Sequence, residues 1–127
     1  MTETDVIFRK AGGEFMPTTW GELNWKITGD GTPGAEMTFG TCRINPGERN
    51  QLHSHPDLRG NPSTSSPATA NTSLAMPFTG SKPGDAIRIP RNVRHWARAL
   101  GTEPLFALIM FSSGTRTAIN HEGEGAA

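Results

Sequence analysis

Glycine and proline interrupt this chain at Gly29-Asp30-Gly31, Pro33-Gly34, Pro46-Gly47, Pro83-Gly84 and Gly101, and between these stops the apolar residues alternate with polar ones instead of recurring at helical spacing. Short alternating runs bounded by turns are half-buried strands. They fall at Val6 to Phe8, Leu23 to Ile27, Glu36 to Ile44, Leu52 to His55, Ala86 to Ile89, Val93 to Ala99 and Pro104 to Phe111. No stretch has the pattern of a strong amphipathic helix. The expected fold class is therefore all-β, a sandwich or barrel of short strands. A chain of 127 residues makes one domain with one core. The barrel is expected over about 23–112, and the polar, glycine-rich 113–127, ending HEGEGAA, as a flexible tail in which His121 is solvated.

Twelve basic and twelve acidic residues give a formal net charge of zero, and the basic ones are not massed on one segment. Neither a nucleic acid nor a membrane surface is an expected partner, which leaves a small molecule or another protein. The opening MTETDVIFRK has no basic flank followed by a long apolar run, and the longest apolar run, Leu105 to Phe111, is too short to span a bilayer. The expected location is the cytoplasm. A single cysteine, Cys42, excludes an internal disulfide framework, and its place in an alternating strand makes it a small core residue. By the same alternation Met37, Phe39, Phe106, Leu108 and Met110 are expected to face the barrel interior. Trp20, Trp25 and Trp96 supply the bulk a small core needs, with or without a ligand.

The segment LHSH places His53 and His55 two residues apart. In a strand such residues point to the same side of the sheet, so two imidazoles can converge on one ion. Taken alone, the pair fits two surface histidines on an edge strand equally well. Its surroundings say more. Gly47 precedes His53 by five intervening residues in PGERNQLHSH, and KPGDAIRIPRNVRHW carries Gly84, Pro90 and His95. These stretches resemble the two signature motifs of the cupin superfamily, G-x5-H-x-H-x3/4-E-x6-G and G-x5-P-x-G-x2-H-x3-N. The resemblance runs from about Phe39 to Phe111.

The resemblance implies a small single-domain cupin, a double-stranded β-helix or jelly-roll barrel, with His53, His55 and His95 as metal ligands. It also implies a divalent transition metal, which three imidazoles leave open as Fe, Mn, Zn, Ni or Cu, a small-molecule ligand and a homodimer. The implied function is a metal-dependent enzyme acting on a small oxygenated organic acid or sugar-like molecule by oxygenase, isomerase or lyase chemistry. The alternative is a non-catalytic binding or sensing module in the same barrel, and a third reading is the inactive product of a damaged gene. The chain departs from the motifs in three places. Arg59 and Gly60 stand where the first motif has its glutamate, Asn92 replaces a glycine, and Ala99 replaces the final asparagine. Asp57 or Gln51 can stand in for the lost carboxylate, although Asp57 is also what a turn after Pro56 would contain. Arg88, Arg91, Arg94 and Arg98 surround His95 in sequence, and at most one of them is expected to turn inward, where it can clamp a carboxylate.

The stretch that lacks the glutamate also lacks strand character. Leu58 to Ser81 has no Val or Ile, no acid, one charge and prolines at 62, 67 and 77, and reads as a loop where a cupin places barrel strands. Taken one base out of frame, with codons its residues allow, it encodes Cys-Glu-Glu-Ile and then LYVLSGNCEHKLGDAVYRL. That run has the missing glutamate, alternating strands and a Ser-Gly-Asn turn. Single-base insertions after Asp57, within Pro62 and before Lys82 account for the shift and restore the frame. The segment is thus expected to be an out-of-frame translation of ordinary cupin sequence. The alternative is an authentic loop, a lid over the barrel mouth.

Overall fold

The computed structural model describes residues 6–56, 72–74 and 84–122, and among them every regular element is a strand. The expected all-β class is what the chain adopts. The strands are β1 (Glu14–Pro17), β2 (Gly21–Ile27), β3 (Thr38–Ile44), β4 (His53–Ser54), β5 (Thr72–Leu74), β6 (Ala97–Ala99), β7 (Leu105–Phe111) and β8 (Ile119–Asn120). The first sheet is antiparallel in the order β1-β2-β3-β7. Its register stacks Gly21, Ile44 and Leu105 in one cross-strand row, Leu23, Cys42 and Ala107 in the next, and Trp25, Gly40 and Ile109 in a third. These rows form the inner face. Ile44 and Leu105 are fully buried there, each contributing about 1.5–3 kcal/mol relative to exposure. Gly40 has a packing reason: an added Cβ would stand 2.7 Å from the Asn24 carbonyl oxygen and 2.8 Å from the Trp25 ring, so only glycine lets that indole lie across β3.

Opposite the first sheet lie two two-stranded sheets, β4-β8 and β5-β6, linked by isolated bridges at His53 with His95 and Arg49 with Arg98. Backbone hydrogen bonds extend the pairing well past the short strands. Ala99 N–H donates to Glu48 O, Asn50 N–H to Ala97 O, and His53 and His95 exchange both of their N–H···O bonds at 3.0 and 2.8 Å. Residues 47–55 therefore run antiparallel to 92–99. The Asn50 side chain adds a ladder rung by accepting from Ala97 N–H at 2.8 Å.

Several expectations are corrected. Val6 to Phe8 forms no strand, Ala86 to Ile89 contributes only an isolated bridging residue at Arg88, and β1 and β8 lie where no strand was expected. Residues 113–122 are docked, not frayed: β8 pairs with β4, and Glu122 accepts from the Leu52 N–H and from Arg49. His121 accordingly meets the Ser54 hydroxyl at 2.7 Å instead of standing in solvent. The expected inward set on β3 and β7 is one residue out of phase. Thr38, Gly40, Cys42 and Ile44, with Leu105, Ala107 and Phe111, are the buried residues, while Phe106 and Met110 are exposed and Phe39 and Leu108 only half-buried. In LFALIMF both faces are apolar, so alternation fixes the period but not which phase turns inward. Cys42 is the small core residue expected, and burial pushes its thiol up to about 12. Most of Leu58 to Ser81 lies outside the described residues; Thr72–Leu74 within it pairs with β6.

Candidate metal centre

The three histidines meet because of register. His53 and His55 share a face by the two-residue period, and His95, directly opposite His53 in the antiparallel ladder, must present its side chain to that same face. Ring centroids lie 4.2 Å apart for His53 and His95, 4.8 Å for His53 and His55, and 5.1 Å for His55 and His95. Their ligand atoms all fall within 4.8 Å of one another. His55 and His95 are buried and His53 is half-buried.

Hydrogen bonds fix which nitrogen is available. Nδ1 of His53 meets the Gln51 carbonyl at 2.6 Å, Nδ1 of His55 the Thr117 carbonyl at 3.1 Å, and Nδ1 of His95 the Val93 carbonyl at 2.9 Å. A carbonyl oxygen only accepts, so each Nδ1 carries the proton and donates it. Each Nε2 is thereby left with its lone pair, the tautomer a metal-ligating histidine requires. Electrostatics acts in the same direction. Burial lowers His95 to about 3, with the nearby His53 and His55 adding to the effect against the Val93 bond. Burial also lowers His53, against its Gln51 bond and together with His121. Neutral imidazoles at neutral pH are the chemistry a divalent transition metal binds, and the donor set therefore fits such an ion.

The cluster opens onto a cavity of about 340 Å³ between the sheets. Its wall includes Trp20, Trp25, Ile44, Ile87, Ala97, Leu105, Ile109 and Phe111, with Asn50, Gln51, Arg116 and Asn120 as its polar side chains beyond the histidines among the described residues. Gln51 is engaged through Oε1, which accepts from Trp20 Nε1 at 3.2 Å. Asp57 and positions 59 and 60, where a carboxylate ligand was sought, lie outside the described residues. Arg88, Arg91, Arg94 and Arg98 are all exposed, and none lines the cavity among the described residues. The arginine that does, Arg116, comes from the segment expected to fray. The β-branched Thr115, Thr117 and Ile119, alternating with Arg116, Ala118 and Asn120, were the strand signal available for that segment. Asn92 sits at φ 64°, the left-handed conformation for which its motif position prefers glycine, and asparagine is among the side chains that tolerate it.

No protein-family model and no curated protein matches the chain. Solved structures do. An oxalate decarboxylase from Lactobacillus farciminis, in a formate complex, superposes with a TM-score of 0.70 at 19% identity, over 84% of this chain and 33% of that one. The oxalate decarboxylase of Bacillus subtilis, described with Mn(II) centres, gives 0.70 at 15% identity over 91% and 35%. A Klebsiella pneumoniae protein with a double-stranded β-helix domain gives 0.63 at 15% identity, over 94% of this chain and 89% of that one. The chain thus spans about a third of the length of the decarboxylases. The shared fold is the cupin double-stranded β-helix.

Proposed function

We propose that this cupin-fold barrel binds a divalent transition metal through His53, His55 and His95 and acts as an enzyme on a small oxygenated organic acid. The single observation that carries the reading is three Nδ1-anchored imidazoles whose ligand atoms lie within 4.8 Å of one another beside a cavity of small-ligand size. When bound, the metal supplies a Lewis acid able to polarise an oxygen of the ligand. The chain itself holds the three donors in one tautomer, keeps His53 and His95 neutral by burial, and surrounds the ligand with apolar wall that excludes water. The formate-bound and Mn-containing neighbours support a small carboxylate and a metal by analogy of fold. A second reading, a module that holds such a molecule without turnover, is favoured by one observation: among the described residues the cavity wall carries no carboxylate to serve as a general base.

The proposed partners are the small molecule and a second copy of the chain. Phe106 and Met110, 42% and 40% exposed on the outer face of the first sheet beside Phe39, offer an apolar surface for a homodimer.

Elemental analysis of protein purified without chelator, and of stripped protein reloaded with Mn(II), Fe(II) or Zn(II), tests the centre. About one equivalent is expected in the wild type. His53→Ala, His55→Ala and His95→Ala should each weaken uptake about tenfold or more. Uptake unchanged across these variants would sink the assignment. Consumption of oxygen or of a candidate acid by the loaded protein selects the enzyme, and saturable binding without turnover selects the module.

A further inference from the structure

A small domain normally closes one contiguous core, packed as densely as an organic crystal. Here the buried apolar residues fall into two clusters. Ile44 and Leu105 pack with Trp20, Cys42 and Ala107 in one, and Trp25 packs on Phe111 in the other. Leu23 and Ile109 touch both clusters and lie in the inward phase of their strands, yet they stay half-buried. What they face is the cavity of about 340 Å³. Its floor on the first sheet is short because two of the three side chains in the row Leu23, Cys42 and Ala107 are small. The middle of the barrel is thus walled by carbon and left unfilled by its own side chains, a loss of packing that an apolar occupant would restore.

The polar groups of the wall are gathered at the histidine end or turned away from this space. Gln51 precedes His53 by two residues, and Asn120 stands directly opposite His53 in the ladder. Asn50 is tied into the same ladder, its Oδ1 accepting from the Ala97 N–H. The two indoles that line the cavity offer it ring carbon, since Trp20 Nε1 is taken by Gln51 and Trp25 Nε1 is itself buried. The Arg116 guanidinium lies on the exposed Glu14 and Asp30 carboxylates. Away from the histidines, the wall among the described residues presents no group shown to meet a second charge.

From this division we infer that the ligand is an amphipathic monocarboxylate, with its oxygen head at the histidine cluster and an apolar body of several carbons on Leu23, Cys42, Ala107 and Ile109. The inference rests on the proposed function in taking the ligand to be an organic acid. It goes further in requiring the apolar body and in excluding acids with a second carboxylate at the far end. Such a carboxylate would lose its water against carbon with nothing to pair it.

The test titrates the full chain, Zn(II)-loaded and chelator-stripped, with butanoate, hexanoate, octanoate and octanedioate, followed by the fluorescence of the tryptophans that line the cavity. In the loaded protein, affinity is expected to rise about fourfold for each added methylene. Octanedioate should bind about tenfold or more weakly than octanoate. Ala107→Leu, which fills the floor, should flatten the dependence on length; if that variant fails to fold, the wild-type series still decides. Affinity independent of length, octanedioate binding as well as octanoate, a wild-type length dependence in Ala107→Leu, or no carboxylate binding in either metal state each overturns the inference. The two proposals fail separately. A protein that takes up metal but shows no length dependence loses only the amphipathic ligand, and one that shows the length dependence when stripped but takes up no metal loses only the metal centre.

Discussion

At residue 92 the chain replaces a motif glycine with asparagine, and the backbone there keeps the glycine conformation, φ 64°. The conformation precedes the side chain: the turn before His95 needs a left-handed residue, because Asn92 N–H donates to the His55 carbonyl at 3.1 Å and so ties that turn to the first histidine strand. Asn92→Gly should change stability little, the relief of strain being offset by the greater freedom of glycine in the unfolded chain. Asn92→Val should cost about 1–2 kcal/mol, since a β-branched side chain meets the following carbonyl in this region. Denaturant midpoints of the stripped protein measure both, and a valine variant as stable as wild type would contradict the account. The same residue-level logic put His53 and His55 on one face from their spacing, while the motif surroundings, not the spacing, marked them with His95 as candidate ligands. The Nδ1 partners of the three were not legible, because all three acceptors are backbone carbonyls, and one of them, Thr117, is distant in the chain.

At the scale of elements, β8 fastens residues 119–120 to β4, the strand that carries His53 and leads directly into His55. Glu122 anchors it. Its carboxyl is held below the usual range first by the Arg49 hydrogen bond and then by the Leu52 N–H, and Arg49 is itself stacked on Trp96. The sign follows from that depression. A carboxylate whose folded pKa lies below its unfolded value contributes docking stability fully above about pH 4.5 and loses it as pH falls through the lower folded value. Hydrogen exchange at the His121 amide, which donates to Leu52 O, should therefore quicken as pH drops below that point, after correction for intrinsic rates. Glu122→Gln should show the fast exchange at every pH. Equal protection in wild type and variant would mean that β8 is held by its ladder alone. Thr117, whose carbonyl orients His55, lies on the same docked segment, so loosening the tail should also weaken metal uptake.

For the whole molecule, the central segment is the open arithmetic. Thr72–Leu74 pairs with β6, and the proposal that Leu58 to Ser81 is barrel sequence written out of frame, with a glutamate restored after His-Pro-Asp, is tested by mass. We expect the denatured intact mass of the chain made from the native gene to correspond to one residue fewer than the 127 recorded, and resequenced coding DNA to show Glu-Glu at that place. A mass matching 127 residues makes the segment a genuine insertion. Native mass spectrometry of the same sample reads the assembly: a dimer is expected, and the Phe106→Glu, Met110→Glu double variant should be monomeric at equal concentration. A monomeric wild type removes the dimer.

What the sequence determined by itself is what covalent geometry determines. Alternation and turn residues gave short strands and an all-β chain, and the two-residue period put His53 and His55 on one face whatever their partners. The paired motif spacings singled out His95. What tertiary structure decided is everything that depends on which face loses water and which strands become neighbours. The inward phase of β7 was undetermined in a run apolar on both sides. The meeting of His95 with His53 is a register between strands about forty residues apart. Arg116 reached the cavity because a polar segment with little hydrophobic signal is held by partners far back in the chain: the Gly29 N–H on Gly114 O, Glu14 and Asp30 on Arg116 itself, and the two rungs of β8 on β4.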